Sequence, residues 1–227
     1  MGFQLFQGYF FCRPDPIGNP QSGHTTKTQY IRLLSELENE EPSYQKLAEI
    51  IETDVNMAYK ILRVIDNRSS DTLIYSIKKA LTFIGLKEMK QWIHILLLQD
   101  LCLNKPNELM RTSLIRSKFA ELIASKTKYR HIKFEAALMG LFSTLDAILD
   151  ASMTDSLKNI PLPIAIKNVL TEKDSELKPV YDLILDYESG QWHRVEAHIN
   201  HMRLNPYDLV LAYRQSLEWT NNIMQIM

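Results

Sequence analysis

From Tyr30 to Ile226 apolar residues return every three or four positions, the period of a helix that buries one face. Tyr30, Ile31, Leu33, Leu34 and Leu37 mark the first such face. Leu47, Ile50 and Ile51 follow behind Pro42-Ser43, then Val55, Met57, Ala58, Ile61, Leu62, Val64 and Ile65 behind Asp54. Asp54 and Ser76 have the side chains that cap helix starts, and Gly85 is placed to stop the helix that Ser76 opens through a left-handed backbone. Lys87 to Leu101 is a long apolar helix, expected at the centre. Leu109 to Lys126 and Phe134 to Leu149 are two more, and Pro161 and Pro163 open another through Leu170. Pro179 to Tyr187, Trp192 to His201 and Pro206 to Ile226 complete the set. With only 7 glycines in 227 residues, folds built on glycine turns or glycine phosphate loops lose weight. The expected fold is all-α, a bundle of about ten helices with a short extended N-terminal segment.

The opening residues break the pattern. Phe3, Leu5, Phe6, Tyr9, Phe10 and Phe11 sit between glycines and suit a strand. Residues 13–23 then hold three prolines and two glycines, a linker composition. A boundary is therefore expected near residue 20, with a short segment over 1–20 and the helical domain over 21–227. The aromatic segment makes a sticky edge if left in water, so it is expected to dock on the helices or to join two copies in a homodimer.

Charge and cysteines narrow the class. The formal net charge is -1, which argues against a surface built for nucleic acid. Cys12 and Cys102 are far apart and neither has a CxxC partner, so a zinc ribbon or thioredoxin-like site is excluded. The most apolar stretch, Trp92 to Leu103, is too short for a membrane span and contains His94, Gln99 and Asp100. The start lacks the basic region of a signal peptide. A cytoplasmic location without a membrane partner is expected.

Two stretches carry a resemblance: LAEIIETDVNMAYKILRVIDN (Leu47 to Asn67) and SIKKALTFIGLKEMKQW (Ser76 to Trp92). Ile50, Ile51 and Asp54, then Lys60, Ile61, Leu62 and Arg63, then Ser76, Ile77, Ala80 and Gly85 fall in an ordered set. Together they resemble the HDOD domain, an all-helical bacterial signalling module related to HD-type metal phosphohydrolases. The opening GFQLFQGYFFCRP (Gly2 to Pro14) is similar to the C-terminal strand of EAL domains, the barrels that hydrolyse cyclic di-GMP. It is most like the type fused to an HDOD domain. The closing stretch, Tyr187 to Ile223, is similar to the end of those fused proteins. The resemblance implies signal transduction linked to cyclic di-GMP.

HD-type hydrolysis needs a His-Asp pair with further His and Asp ligands around a divalent ion. No His-Asp dipeptide occurs in this chain. In AALMGLFSTLDAILD (Ala136 to Asp150), Ser143-Thr144 stands where metal-binding relatives place it, and the upstream family histidine falls near Thr112. Asp146 and Asp150 read as solvent-facing or capping residues. His198 and His201 could share a helix face, but their neighbours, Trp192 among them, read as core packing. No Glu-Ala-Leu tripeptide, GxSxG elbow or glycine phosphate loop is present. No catalytic residue, metal or cofactor is therefore expected, and the chain is read as a non-catalytic output or scaffold domain.

Such a domain works by recognition, with other signalling proteins as partners. Aromatic and arginine residues anchor interfaces, which singles out Tyr30, Tyr59, Arg63, Trp92, Trp192 and Trp219, with Lys87 and Lys90 adding charge. For the tryptophans, core packing is the competing reading. Two rival functions remain: a degenerate metal phosphohydrolase, or a cyclic dinucleotide sensor using the lysines from Lys78 to Lys90.

Overall fold

The structure, a computed structural model, describes residues 24–66 and 76–226. The expected extended segment with Phe3, Leu5, Phe6, Tyr9, Phe10 and Phe11, and its linker, lie outside the described residues. Within them every regular element is helical. In order these are α1 (His24–Leu37), α2 (Tyr44–Glu52), α3 (Val55–Asp66), α4 (Ile77–Ile84), α5 (Leu86–Leu101), α6 (Asn107–Ser125), α7 (Lys133–Phe142) and α8 (Leu145–Leu149). There follow α9 (Met153–Ser156), α10 (Ile164–Leu170), α11 (Lys178–Glu188), α12 (Trp192–Met202) and α13 (Pro206–Ile226). The all-α expectation holds, with more and shorter helices than the periodicity suggests. No helix among the described residues is long and apolar enough to cross a membrane.

The helix starts follow local side-chain chemistry. The Ser43 hydroxyl accepts from the Lys46 amide at 3.4 Å and the Ser76 hydroxyl from the Lys79 amide at 3.2 Å. Asp54 Oδ1 accepts from the amides of Asn56 and Met57 at 3.0 and 3.1 Å. Each cap satisfies amides that a helix start leaves without an internal partner. Gly85 ends α4 and begins α5 with φ 82° and ψ 155°. This is not the left-handed helical conformation expected of it, but an extended positive-φ backbone that glycine alone adopts readily.

Two stretches depart from expectation. The single helix expected over Phe134 to Leu149 is broken into α7 and α8 at Ser143-Thr144. The Ser143 hydroxyl donates to the Gly140 carbonyl at 2.7 Å, a local bond that competes with the helical ladder. Asp150 then closes α8 with φ 50° and pairs with Lys105, so it caps and tethers. Trp192, read as core, is 63% exposed at the start of α12, held edge-on by Tyr187 at 5.6 Å.

The core has two halves joined by α5. In the N-terminal half α1 packs on α5 and α2, and α2 packs on α4 and α3. In the C-terminal half α6 packs on α7, then on α13 and α11. α5 reaches both halves, and its run from Trp92 to Leu98 is buried on all sides, which makes it the central helix expected. α6 and α7 approach through small residues. Ser113, Ser117, Ala120 and Ala124 on α6, with Ala136, Ala137 and Gly140 on α7, are all buried. The approach is closest at Gly140: a β-carbon there would lie 2.4 Å from the Arg116 carbonyl oxygen and 2.6 Å from the Ser117 nitrogen.

His94 is a fully buried imidazole. Its Nδ1–H donates to the Lys90 carbonyl at 2.7 Å, and its ring stands edge-on to Phe142 at 5.6 Å. Nε2 is buried without a hydrogen-bond partner. Burial lowers its pKa from 6.5 to about 4.

Two predictions follow from this packing. Gly140→Ala forces two helix backbones apart, so its urea midpoint falls by an amount equivalent to about 1–3 kcal/mol or more; an unchanged midpoint contradicts the contact. For His94, the unfolded chain takes up a proton between pH 6.5 and about 4 while the folded chain does not. Its contribution is therefore complete above pH 6.5 and drains away as pH falls toward 4, by up to about 3 kcal/mol. Urea unfolding across that range should show the decline, and His94→Leu should flatten it; equal slopes in both proteins argue against it.

Candidate functional site

The first constellation grows from the close approach of α6 and α7. With Gly140 against the Arg116 backbone, the Arg116 side chain reaches the break at Ser143. Its Nη1 donates to the Ser143 hydroxyl at 3.1 Å. Its Nε and Nη2 donate to both carboxylate oxygens of Glu188, at the end of α11, with contacts of 2.9 and 2.6 Å. This two-pronged pair is mostly shielded from water, the arrangement in which arginine binds a carboxylate most strongly. One turn earlier on α6, the buried Ser113 hydroxyl hydrogen-bonds the Thr144 hydroxyl.

The donors at this place are thus three hydroxyls and a guanidinium bound to a carboxylate. Thr112, where the upstream family histidine was expected to fall, is half-buried, and Ser113 is the residue that meets Thr144. Hydroxyls are weak ligands for a divalent ion, and the guanidinium charge opposes one. The residues do not fit the metal of HD-type hydrolases. Among the described residues no group of three or more His, Cys, Asp and Glu side chains converges to hold an ion. His198 and His201 do not converge: His198 Nε2 meets Asp186 at 2.9 Å, whereas His201 Nε2 lies 3.5 Å from the Lys128 ammonium.

The second constellation is a half-open cleft of about 640 Å³ where the end of α3, the α4–α5 junction, α6 and α13 meet. Its lining combines the aliphatic Val64, Ile95 and Ile223 and the aromatic Trp92, Trp219 and Phe134 with the charged Lys87, Glu88, Lys118 and Glu121. Of the residues expected to bind partners, Trp92, Trp219 and Lys87 lie here. Trp92 is almost buried and offers only an edge. Lys118 sits over the Trp219 ring at 5.7 Å and pairs with Glu121 at 2.8 Å. Gly85 and the first residues of α5 form one lip, and Gly85 offers no side chain to cap the helix amides there.

The other expected residues lie elsewhere. Tyr59 and Arg63 line a smaller hollow of about 240 Å³ between α3 and α5, which shares Val64 with the cleft. Tyr59 is 62% exposed and continues a surface stripe from Val55, four residues before it. Lys90 is turned to the other side of α5, where it pairs with Glu38. Lys60 pairs with Asp100, and Lys78 donates to Gln45 at 3.1 Å. The lysines from Lys78 to Lys90 therefore do not form one patch. Tyr30 is buried in the core, where burial and the nearby Asp100 carboxylate hold its phenol well above the ordinary range. Burial likewise pushes the Cys102 thiol up to about 12.

Sequence reasoning missed Arg116, Glu188, Phe134 and Lys133. Arg116 and Glu188 lie 72 residues apart, and no spacing rule links them. Phe134 carried a local signal, an aromatic beside Lys133 at a helix start. The Arg116–Glu188 pair should be coupled: in a double-mutant cycle with Arg116→Met and Glu188→Gln, unfolding free energies should deviate from additivity by about 1–3 kcal/mol. Additive losses would mean that the two side chains do not act together.

Comparison with known proteins bears on this geometry. Residues 25–178 match the HDOD domain family. YuxH of Bacillus subtilis (strain 168) is 33% identical over 231 residues, which takes in 98% of this chain and 55% of YuxH. The cyclic di-GMP phosphodiesterase CdgJ of Vibrio cholerae (serotype O1, El Tor Inaba N16961) is 29% identical over 230 residues, 99% of this chain and 52% of CdgJ. The chain thus spans about half the length of the curated relatives it matches. No solved structure matches. With two thirds of its length under the family match, the chain belongs to the HDOD domain family.

Proposed function

We propose that this chain is a non-catalytic signal-transduction output module that acts by binding other signalling proteins, in a system linked to cyclic di-GMP. The observation that carries this reading is the Arg116–Glu188–Ser143 constellation. It fills, with a cation and hydroxyls, the place where a hydrolase of the related type needs imidazole and carboxylate ligands. Side chains that satisfy one another in this way hold helices together and leave no group poised to activate water. The link to cyclic di-GMP is supported by the name of the CdgJ relative and by the similarity of Gly2 to Pro14 to an EAL-domain strand. In this reading the protein acts in the cytoplasm, with the Gly2 to Pro14 segment as a second point of contact, either to the helices or to another copy.

Metal and turnover are measured together. The full chain is purified without chelator, analysed for iron, manganese and zinc, and assayed for cyclic di-GMP hydrolysis with added magnesium and manganese. Substoichiometric metal and no hydrolysis above a buffer blank are expected. Stoichiometric tightly held metal, or hydrolysis lost on changing Ser143 or Thr144, would overturn the proposal.

A further inference from the structure

The chain enters the fold beside an exposed apolar stripe. Glu38, just past α1, pairs with Lys90 near the start of α5, whereas Tyr30, in the middle of α1, lies near Asp100 at the other end of α5. α1 therefore runs antiparallel to α5, and its first turn sits where α5 finishes. α3 has the same sense: Lys60 pairs with Asp100, while Val64 lines the cleft with Trp92 and Ile95. Asp54, which caps α3, is close enough to Tyr30 to act on its phenol. His24 precedes Tyr30 by six residues, about 9 Å of helix. The chain before α1 thus meets the fold at the end that carries the start of α3. There Val55 is 81% exposed, and Tyr59, one turn on, also stands in water. Beside them lies the hollow of about 240 Å³ between α3 and α5, suited in size to one aromatic side chain.

We infer that this face is the seat of the chain's own opening segment: aromatic side chains between Phe3 and Phe11 pack over Val55 and Tyr59, and one of them enters the hollow. This rests on the proposed role of Gly2 to Pro14 as a point of contact and deepens it by assigning the surface and choosing contact within one copy. The chemistry matches. No residue from Gly2 to Cys12 carries a charged side chain, and six of those eleven are aromatic or leucine. The larger cleft mixes its aromatics with Lys87, Glu88, Lys118 and Glu121, and it opens at the start of α5, about 22 Å of helix from the end where the segment arrives. Length matches too. Twelve residues separate Phe11 from His24 and can span at most about 40 Å, so the near stripe is met without stretching them. A segment tethered at such a distance acts at an effective concentration on the order of millimolar, far above that of a second copy in dilute solution. A partner that docks on Tyr59 and Arg63 has to displace it.

In the full chain, Phe6, Tyr9 and Phe10 are replaced one at a time by the photo-cross-linker p-benzoylphenylalanine, and the irradiated protein is digested and read by mass spectrometry. Mixing nitrogen-15-labelled with unlabelled chains separates contacts within one copy from contacts between copies. Adducts within one copy to residues 55–63 of α3, or to Leu96 and Gln99, are expected. A Val55→Glu, Tyr59→Glu double variant should lower their yield by roughly tenfold or more, because an apolar segment would then cover carboxylates. Ile164→Glu, also exposed but on α10, should leave the yield unchanged. Circular dichroism melting confirms that each variant is folded. Adducts concentrated on Trp219 or Phe134 of the cleft, adducts that join labelled to unlabelled chains, no adducts to the helices, or an undiminished yield in the folded double variant would overturn the inference. None of these outcomes touches the metal and hydrolysis result, so failure of the docking face and failure of the non-catalytic reading are told apart.

Discussion

The fold depends on one backbone contact. At Gly140 the α7 main chain lies against the main chain of Arg116 and Ser117 on α6, closer than any side chain would permit. Helices that pack through serine, alanine and glycine sit deeper in one another's grooves than those that pack through leucine. That depth brings the Ser113 and Thr144 hydroxyls together and lets Arg116 reach across the break after α7 to Ser143 and on to Glu188. The polar constellation is a result of the small-residue seam.

The cleft has a different origin. It opens where Gly85 turns the chain from α4 into α5 with an extended, positive-φ backbone. A residue with a β-carbon is strained in that conformation, and no side chain there covers the start of α5. α13, packed on α6, supplies Trp219 and Ile223 from the far end of the chain, and the start of α7 supplies Phe134. The aromatic walls thus come from three helices far apart in sequence, while the lip comes from one glycine.

Local physics in this chain was readable from sequence; meeting points were not. Asp54, Ser76 and Gly85 declared their roles through residue type, because capping is settled within three or four residues. The continuous apolar run of Trp92 to Leu98 announced a helix buried on all sides. The break at Ser143-Thr144 was hidden because neither glycine nor proline marks it; a serine hydroxyl bonded to its own helix does the work. Trp192 misled for a related reason. Its size suggests burial, but its place at the first turn of α12 leaves it on the surface, leaning on Tyr187. Arg116 with Glu188, and Trp92 with Trp219, are joined only by tertiary packing.

The arginine clamp also bears on where the cooperative unit ends. The family match stops at residue 178, yet Glu188 lies beyond it, as does the whole of α13, which shares a broad face with α6. Mature packing of the recognised segment thus draws on residues synthesised after it. A ribosome-bound intermediate halted at residue 178 would still carry a naked flank on α6 and an Arg116 guanidinium without its Glu188 carboxylate. The span of the family match and the packed unit do not share a border.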